Sequence, residues 1–342
     1  MSQTCDISVA VVGLGGIGAL HSGILASLPS TRLVGVVDKE PRLVRMARKA
    51  IPNMRFYSTV EDMVTESRPD AVYVCTPASS HVEVVRSLLS SSHRPLGVFV
   101  EKPLATNSRD AEELVRLAQA HGTITAVGHQ RRLTPTIKKT RELVESGVIG
   151  DLGLFRCHHF ASSVLSKGEG WRFTPGSGGV AMEFGIHLLD IVIMLFGEPQ
   201  TIRATSSRLF SESVEDYVGC QLGFKSGLSG VVEMGWSQRG YDPPELRVEI
   251  QAQKGAIITT EDAVRLLLPK SGIGPTERIE TFYGAGMIPE LPFLLGSPEN
   301  VLIDLDFVSS LRGKLNPQVT FEEAAKVIRL LDAIRESTQA MF

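Results

Sequence analysis

Six residues near the N-terminus, Gly13-Leu14-Gly15-Gly16-Ile17-Gly18, have the types and spacing to hold a phosphate. They follow the β-branched run Ile7–Val12 and open an amphipathic segment. A bare G-x-G-x-x-G is weak evidence; strand before and helix after give it weight over a structural Gly-rich turn. Gly13 permits the tight turn, Gly15 lets backbone approach a pyrophosphate, and Gly18 lets helix pack on strand. The free amides of the helix start, around Gly16 and Ile17, then face the anion with the positive end of the helix dipole. Asp38 ends the next apolar run, about 20 residues beyond the last glycine, where a carboxylate accepts hydrogen bonds from ribose hydroxyls. That charge repels a 2′-phosphate and favours NAD over NADP, although Lys39 and Arg42 could partly neutralise one.

A second group lies far downstream. In Glu183-x-x-x-His187-x-x-Asp190, two carboxylates stand within one helical turn of an imidazole. An imidazole titrates near pH 6.5 and suits proton transfer around neutrality. A nearby carboxylate favours the imidazolium and can fix its tautomer. A lone histidine on an apolar helix is more often a satisfied core residue, but buried unpaired charge is costly, which argues against packing alone. The same trio, with Cys157, His158 or His159, could also be read as a metal site. No H-E-x-x-H or other zinc spacing is present, so no metal is expected. Arg172, between Trp171 and the Gly-rich loop Gly176–Gly179, could meet a substrate carboxylate or phosphate, or simply pack on the tryptophan.

These residues need a frame. The first 128 residues alternate short apolar runs with amphipathic segments, the pattern of a parallel sheet flanked by helices. Strands are expected at Ile7–Val12, Leu33–Val37, Val72–Cys75, Val98–Val100 and Ile124–Val127, with helices at Ile17–Leu28 and Pro41–Ala50. Ser58 with Glu61, and Ser80 with Glu83, have capping-box spacing. From residue 129 the character changes. Helices are expected at Pro135–Ser146 and from the Gly176–Gly179 loop to Phe196. Strands follow at Leu152–Phe160, Ile202–Ser206, Val218–Phe224, Leu228–Trp236, Leu246–Ala252, Ala256–Thr260 and Val264–Leu268. Hairpin turns such as Lys225-Ser226-Gly227 imply a largely antiparallel sheet. Residues 269–300 read as a long loop or oligomer contact, and Thr320 with Glu323 caps a final helix over 320–338 that could pack back on the first domain. The fold class is therefore α/β: a doubly wound parallel-sheet domain, 1–128, and an α+β domain, 129–342, with a large open, mostly antiparallel sheet.

The 342 residues suit roughly two domains. With 35 basic against 38 acidic residues the net charge is −3, which argues against a nucleic-acid or membrane-surface partner. The start, MSQTCDIS, resembles no leader peptide, and no apolar run could span a bilayer. The four cysteines, Cys5, Cys75, Cys157 and Cys220, form no C-x-x-C pair, and a reducing, cytoplasmic location fits them. An apolar, uncovered sheet face in the second domain would favour a homodimer or homotetramer.

Further motifs stand at the ends of the sheet runs: Cys75-Thr76-Pro77 with His81, Glu101-Lys102-Pro103, and Gly128-His129-Gln130-Arg131-Arg132. With Gly178-Gly179 and Glu183 to Asp190, they resemble, in order and over the whole chain, the glucose–fructose oxidoreductase/inositol dehydrogenase/MocA family. The resemblance implies a Rossmann domain, a mixed-sheet partner domain, and hydride transfer between NAD(P) and a carbon of a sugar, sugar derivative or inositol. It departs at Glu183, where the family usually has Asp, and at Leu133, where it often has an aromatic residue.

On that resemblance, Thr76, Pro77, His81, Glu101 and Lys102 join the cofactor site, and Gln130, Arg131, His159 and Arg172 the substrate site. Alone, a lysine after a glutamate at a strand end is more often a surface ion pair; with the family match, Lys102 points an ammonium at the reacting oxygen. His187 carries the hydroxyl proton, with Glu183 beside it. Two other functions fit the same residues: a lyase or glycosidase that oxidises its substrate transiently with tightly held NAD, and a dinucleotide sensor, which would not need Lys102, Glu183 and His187.

Overall fold

The computed structural model describes residues 6–50, 54–269, 276–313 and 316–340; Cys5 and the 270–275 part of the Gly- and Pro-rich stretch lie outside them. The chain opens with β1 (Ile7–Val12), α1 (Gly16–Ser27), β2 (Thr31–Val37), α2 (Pro41–Ala50) and β3 (Phe56–Tyr57). Next come α3 (Val60–Ser67), β4 (Ala71–Val74), α4 (His81–Ser90), β5 (Gly97–Val100), α5 (Ser108–His121) and β6 (Ile124–Val127). Then α6 (Pro135–Glu145), β7 (Leu152–Phe160), α7 (Ile186–Phe196), β8 (Thr201–Ser207), β9 (Tyr217–Gly223) and β10 (Ser229–Gly235) follow. The remainder comprises β11 (Glu245–Ala252), β12 (Gly255–Thr259), β13 (Ala263–Pro269), β14 (Thr276–Tyr283), α8 (Pro298–Leu311), α9 (Phe321–Ser337) and β15 (Thr338–Ala340).

These elements form two compact units, Met1–Gln130 with Glu290–Ile328, and Arg131–Pro289 with Arg329–Phe342. The first unit holds a parallel sheet of order β3-β2-β1-β4-β5-β6. Strands β4 and β5 are buried at every position, as a sheet covered on both faces requires. The strand order reverses between β1 and β4, and that crevice at the carboxyl ends is where such sheets bind nucleotides. Residues 290–328 belong to this unit because α8 presents apolar residues to it. Val301 packs with Ile24 and Leu28 of α1, and Phe307 joins Tyr73 and Phe99 in an aromatic cluster.

The helix signals were right in kind and displaced in detail. Thr59, not Ser58, caps α3 by accepting from the Asp62 amide. Ser80 spends its hydroxyl on Thr76 and the Pro77 carbonyl instead of capping α4. The loop expected over 269–300 contains strand β14 and the start of α8.

The second unit holds a nine-stranded sheet of order β14-β13-β12-β11-β7-β10-β9-β8-β15. It is antiparallel except where β10 pairs β7 and β15 pairs β8. One face alternates inward, with Phe155, Cys157 and His159 on β7 and Leu246, Val248 and Ile250 on β11 all buried. The other face was expected to be apolar. It carries instead the ion pairs Arg156–Glu233, His158–Glu245 and Arg247–Glu249, which hold polar side chains at its centre.

Candidate active-site residues

The glycine turn has the geometry a dinucleotide needs. Gly13 has φ +98°, and a Cβ there would stand 2.7 Å from the Cys75 carbonyl oxygen. At Gly18 a Cβ would collide with the Gly13 carbonyl, so a glycine is required for α1 to lie this close to β1. Among the described residues, no atom comes within 4 Å of a Cβ built at Gly15 or Gly16. The first turn of α1 has no acidic residue and no side-chain cap, leaving its amides to a ligand. Asp38 ends β2 and is held by the Leu14 and Glu40 amides, which ties its carboxylate to the glycine turn. Lys39 beside it is exposed. These residues fit a bound dinucleotide: an open amide cradle and a fixed ribose acceptor on neighbouring strands.

Two strands further along the same sheet edge stand Glu101 and Lys102. Glu101 is buried, and its Oε2 accepts from the Lys102 amide at 3.1 Å. Lys102 is half-buried and joined to Pro103 by a cis peptide. His81 links this turn to the preceding one. Its Nδ1 lies 2.9 Å from the Pro103 carbonyl oxygen and its Nε2 2.8 Å from that of Thr76. Burial pushes the His81 pKa down against the pull of those carbonyls. His81 therefore lies between the Thr76 and Pro103 carbonyls and is closed to solvent. Gln130 ends the first unit half-buried.

In the second unit the helix expected from the Gly-rich loop begins differently. Ala181–Gly185 form a π-helical turn, and α7 continues from Ile186. Gly185 packs closely on Met234 of β10, whose thioether a Cβ there would meet. Such turns concentrate at functional sites. The turn carries Glu183, and His187 follows in the first turn of α7, 8% exposed. Glu215 holds the approach: its carbonyl accepts from the Val180 amide and its carboxylate from the Ala181 amide. Arg172 lies 3.9 Å from Glu183. Its guanidinium sits over the ring of Trp236 at 5.3 Å, not over the neighbouring Trp171, which is exposed.

His159 points inward, 1% exposed, with its ring stacked on Phe184 and its Nδ1 3.2 Å from that residue's carbonyl oxygen. His158 points to the opposite face and pairs with Glu245. Arg131 donates to Glu261 at 2.8 Å.

Four supporting residues escaped the sequence analysis. His21 and Asp304 form a buried cluster with Glu101. Arg132 donates from Nε to Asp190 at 2.8 Å, with both side chains buried. Asp216 accepts from the amides of Leu209, Phe210 and Ser211 and, at 2.6 Å, from Trp236 Nε1. Burial opposes its charge, but the Ser211, Trp236 and Phe210 donors hold its carboxyl below the usual range. The signal available for Asp216 was a buried-strand tryptophan that needs an acceptor for its N–H.

Comparison with known proteins covers both halves. Residues 7–129 match the oxidoreductase family with an NAD-binding Rossmann fold. Residues 137–258 match the GFO/IDH/MocA C-terminal domain. A myo-inositol 2-dehydrogenase from Thermotoga maritima is 27% identical over 255 residues, covering 73% of this chain and 74% of the relative. A 2,7-anhydro-N-acetylneuraminate hydratase from Mediterraneibacter gnavus is 27% identical over 259 residues, 73% of this chain and 66% of that one. Among solved structures, a levoglucosan dehydrogenase in complex with NADH has the same fold, with TM-score 0.85, 21% identity and 97% of each chain covered.

Proposed function

The chain belongs to the glucose–fructose oxidoreductase/inositol dehydrogenase/MocA family of NAD-binding oxidoreductases, and from that premise we propose that it oxidises or reduces a hydroxyl-bearing carbon of a cyclic polyol. The substrate class is a sugar, a sugar derivative or an inositol. Relatives named for myo-inositol and levoglucosan support that class.

NAD supplies the hydride acceptor, or as NADH the donor. The protein's part is proton transfer and charge. The hydroxyl proton must leave as the carbon is oxidised, and the oxygen gathers negative charge while it does so. His187 takes that proton, and Glu183 beside it in sequence favours the imidazolium that results. Lys102 offers an ammonium to the oxygen from the carboxyl end of β5. Thr76, Pro77 and Glu101 line the dinucleotide, and Gln130, Arg131 and Arg172 approach the substrate. The observation that carries the reading is on the first unit. Lys102 follows β5 at the same sheet edge as the open glycine turn after β1, so a ligand on that turn reaches toward an ammonium.

Lys102→Ala and His187→Ala are each expected to lower turnover about 100- to 10,000-fold. NADH affinity should stay within about threefold, since neither variant touches the phosphate cradle. Nicotinamide absorbance with a panel of inositols, aldoses and anhydro-sugars measures the first, and NADH fluorescence the second. Full turnover in either variant would overturn the roles. The relative named as a hydratase favours a second reading, transient oxidation with no net redox change. Product formation with a constant NADH signal, by protein that co-purifies with NAD, would select it.

A further inference from the structure

His21 lies on α1, three residues past Gly18, and its imidazole is 1% exposed. Its Nδ1 is 2.8 Å and 2.9 Å from the two carboxylate oxygens of Asp304 on α8. Its Nε2 is 3.1 Å from Glu101 Oε1. Tyr73 and Phe99 pack on the ring at centroid distances of 5.3 Å and 5.1 Å, so it has no room to turn. Glu101 is clamped from the far side as well. Oε2 takes the Lys102 amide, and a side chain at Gly128 would collide with the carboxylate.

A carboxylate on each ring nitrogen favours the imidazolium, in which both nitrogens donate. The Nε2 donor meets Glu101, which retains 10% side-chain exposure at the carboxyl end of β5. We propose that Asp304 and His21 are positioning residues that aim the Glu101 carboxylate, through a fixed imidazole N–H, at a hydroxyl of the bound dinucleotide. The inference rests on Glu101 contacting the dinucleotide, as read above; Asp304 and His21 need touch no ligand.

The protonation of His21 follows from its neighbours. Burial opposes the charge, but the attraction and hydrogen bonds of Asp304, then those of Glu101, raise its pKa to about 10. Asp304 from α8 and Glu101 from the end of β5 are the acids that face it. Tyr73 from β4 stands beside Asp304, outside hydrogen-bond geometry, with its own ionisation pushed far up by burial. Cys75, just past β4, is likewise held as the thiol by burial. His81 also feels the Glu101 charge, the weakest influence on a pKa that burial lowers. A group with a raised pKa keeps its proton, and its contribution, until the pH climbs through that pKa. With a carboxylate at hydrogen-bond distance from each ring nitrogen, both nitrogens of His21 are expected to donate across pH 6–9.

Asp304→Asn preserves shape and removes the charge that raises the pKa. His21 then loses its proton within pH 6–9, and Nε2 can turn a lone pair toward Glu101. NADH fluorescence titration of the full chain is the test. Native affinity should be level from pH 6 to 9, whereas Asp304→Asn should weaken by about tenfold as pH rises over that range. His21→Leu should be weak at every pH, with no slope. Nitrogen NMR of the histidine rings adds a signature: both His21 nitrogens protonated at pH 8 in the native chain, one in Asp304→Asn. Should His21→Leu not fold, Asp304→Asn carries the test alone. Glu101→Gln separates the two claims. If it binds NADH as tightly as the native chain, the Glu101 contact is wrong. If it weakens binding while Asp304→Asn stays level with pH, the positioning role is wrong.

Discussion

The two units pair their buried charges differently. The first places two acids around one base, Asp304 and Glu101 around His21. The second closes one acid on one base, Asp190 on Arg132, and both side chains are buried. In the second, the carboxylate meets its guanidinium directly, at 2.8 Å. An acid in excess is costly to bury unless something draws on it. In the first unit the excess acid, Glu101, ends at the rim where the dinucleotide cradle opens. A second buried acid of the second unit, Asp216, is satisfied by backbone amides and an indole. Buried charge matched one to one is thereby set apart from buried charge that ends at the edge of a sheet.

The sharpest way to break it is to remove one member of the equal pair. Arg132→Met removes the buried guanidinium that Asp190 meets and should cost about 3–5 kcal/mol of unfolding free energy in a urea titration. Replacing both, Arg132→Met with Asp190→Leu, should recover most of that loss, because an apolar pair need not be desolvated. NADH affinity of the folded single variant should be unchanged. If it falls as far as in His21→Leu, the second unit's pair is not merely scaffold and the contrast is lost.

How much of this was legible follows the distance over which each signal acts. The glycine turn, Asp38 and the covered strands are local patterns, and Gly13, Gly18 and β4 stand where periodicity and spacing put them. The His21 cluster was invisible because Asp304 is 283 residues away. Asp304 also lies on a helix whose start was read as part of a loop. Pro298 in its first turn was the available cue, masked by the Gly- and Pro-rich residues before it. The π-helical turn had no signal of its own in the local pattern. The polar outer sheet face could have been read from Arg156, His158, Glu233, Glu245 and Glu249, which alternate with the apolar residues of their strands.

A smaller effect sharpens the contrast within the second unit. Trp236→Phe keeps an aromatic ring under Arg172 and removes the N–H that reaches Asp216. The loss should be about 2 kcal/mol, the scale of one hydrogen bond to a charged group. Phenylalanine is also the weaker face for a guanidinium. Substrate KM should therefore rise with Arg172 less well seated, while NADH affinity stays fixed. A change in NADH affinity with an unchanged KM would assign Trp236 to the wrong half.

The smallest effect concerns the outer face. Arg156–Glu233 spans neighbouring strands at 3.0 Å, with Arg156 side-chain exposure of 63%. It resembles Arg132–Asp190 in chemistry and differs only in its solvent. Water already satisfies both groups when they separate, and ordering two long side chains offsets much of the attraction. Arg156→Ala should thus change stability by less than about 1 kcal/mol, and less again in high salt. A loss near that of Arg132→Met would mean that this face is covered in solution, since only removal of water makes such a pair expensive to break. Sedimentation of the same sample would then have to show a second copy lying over it.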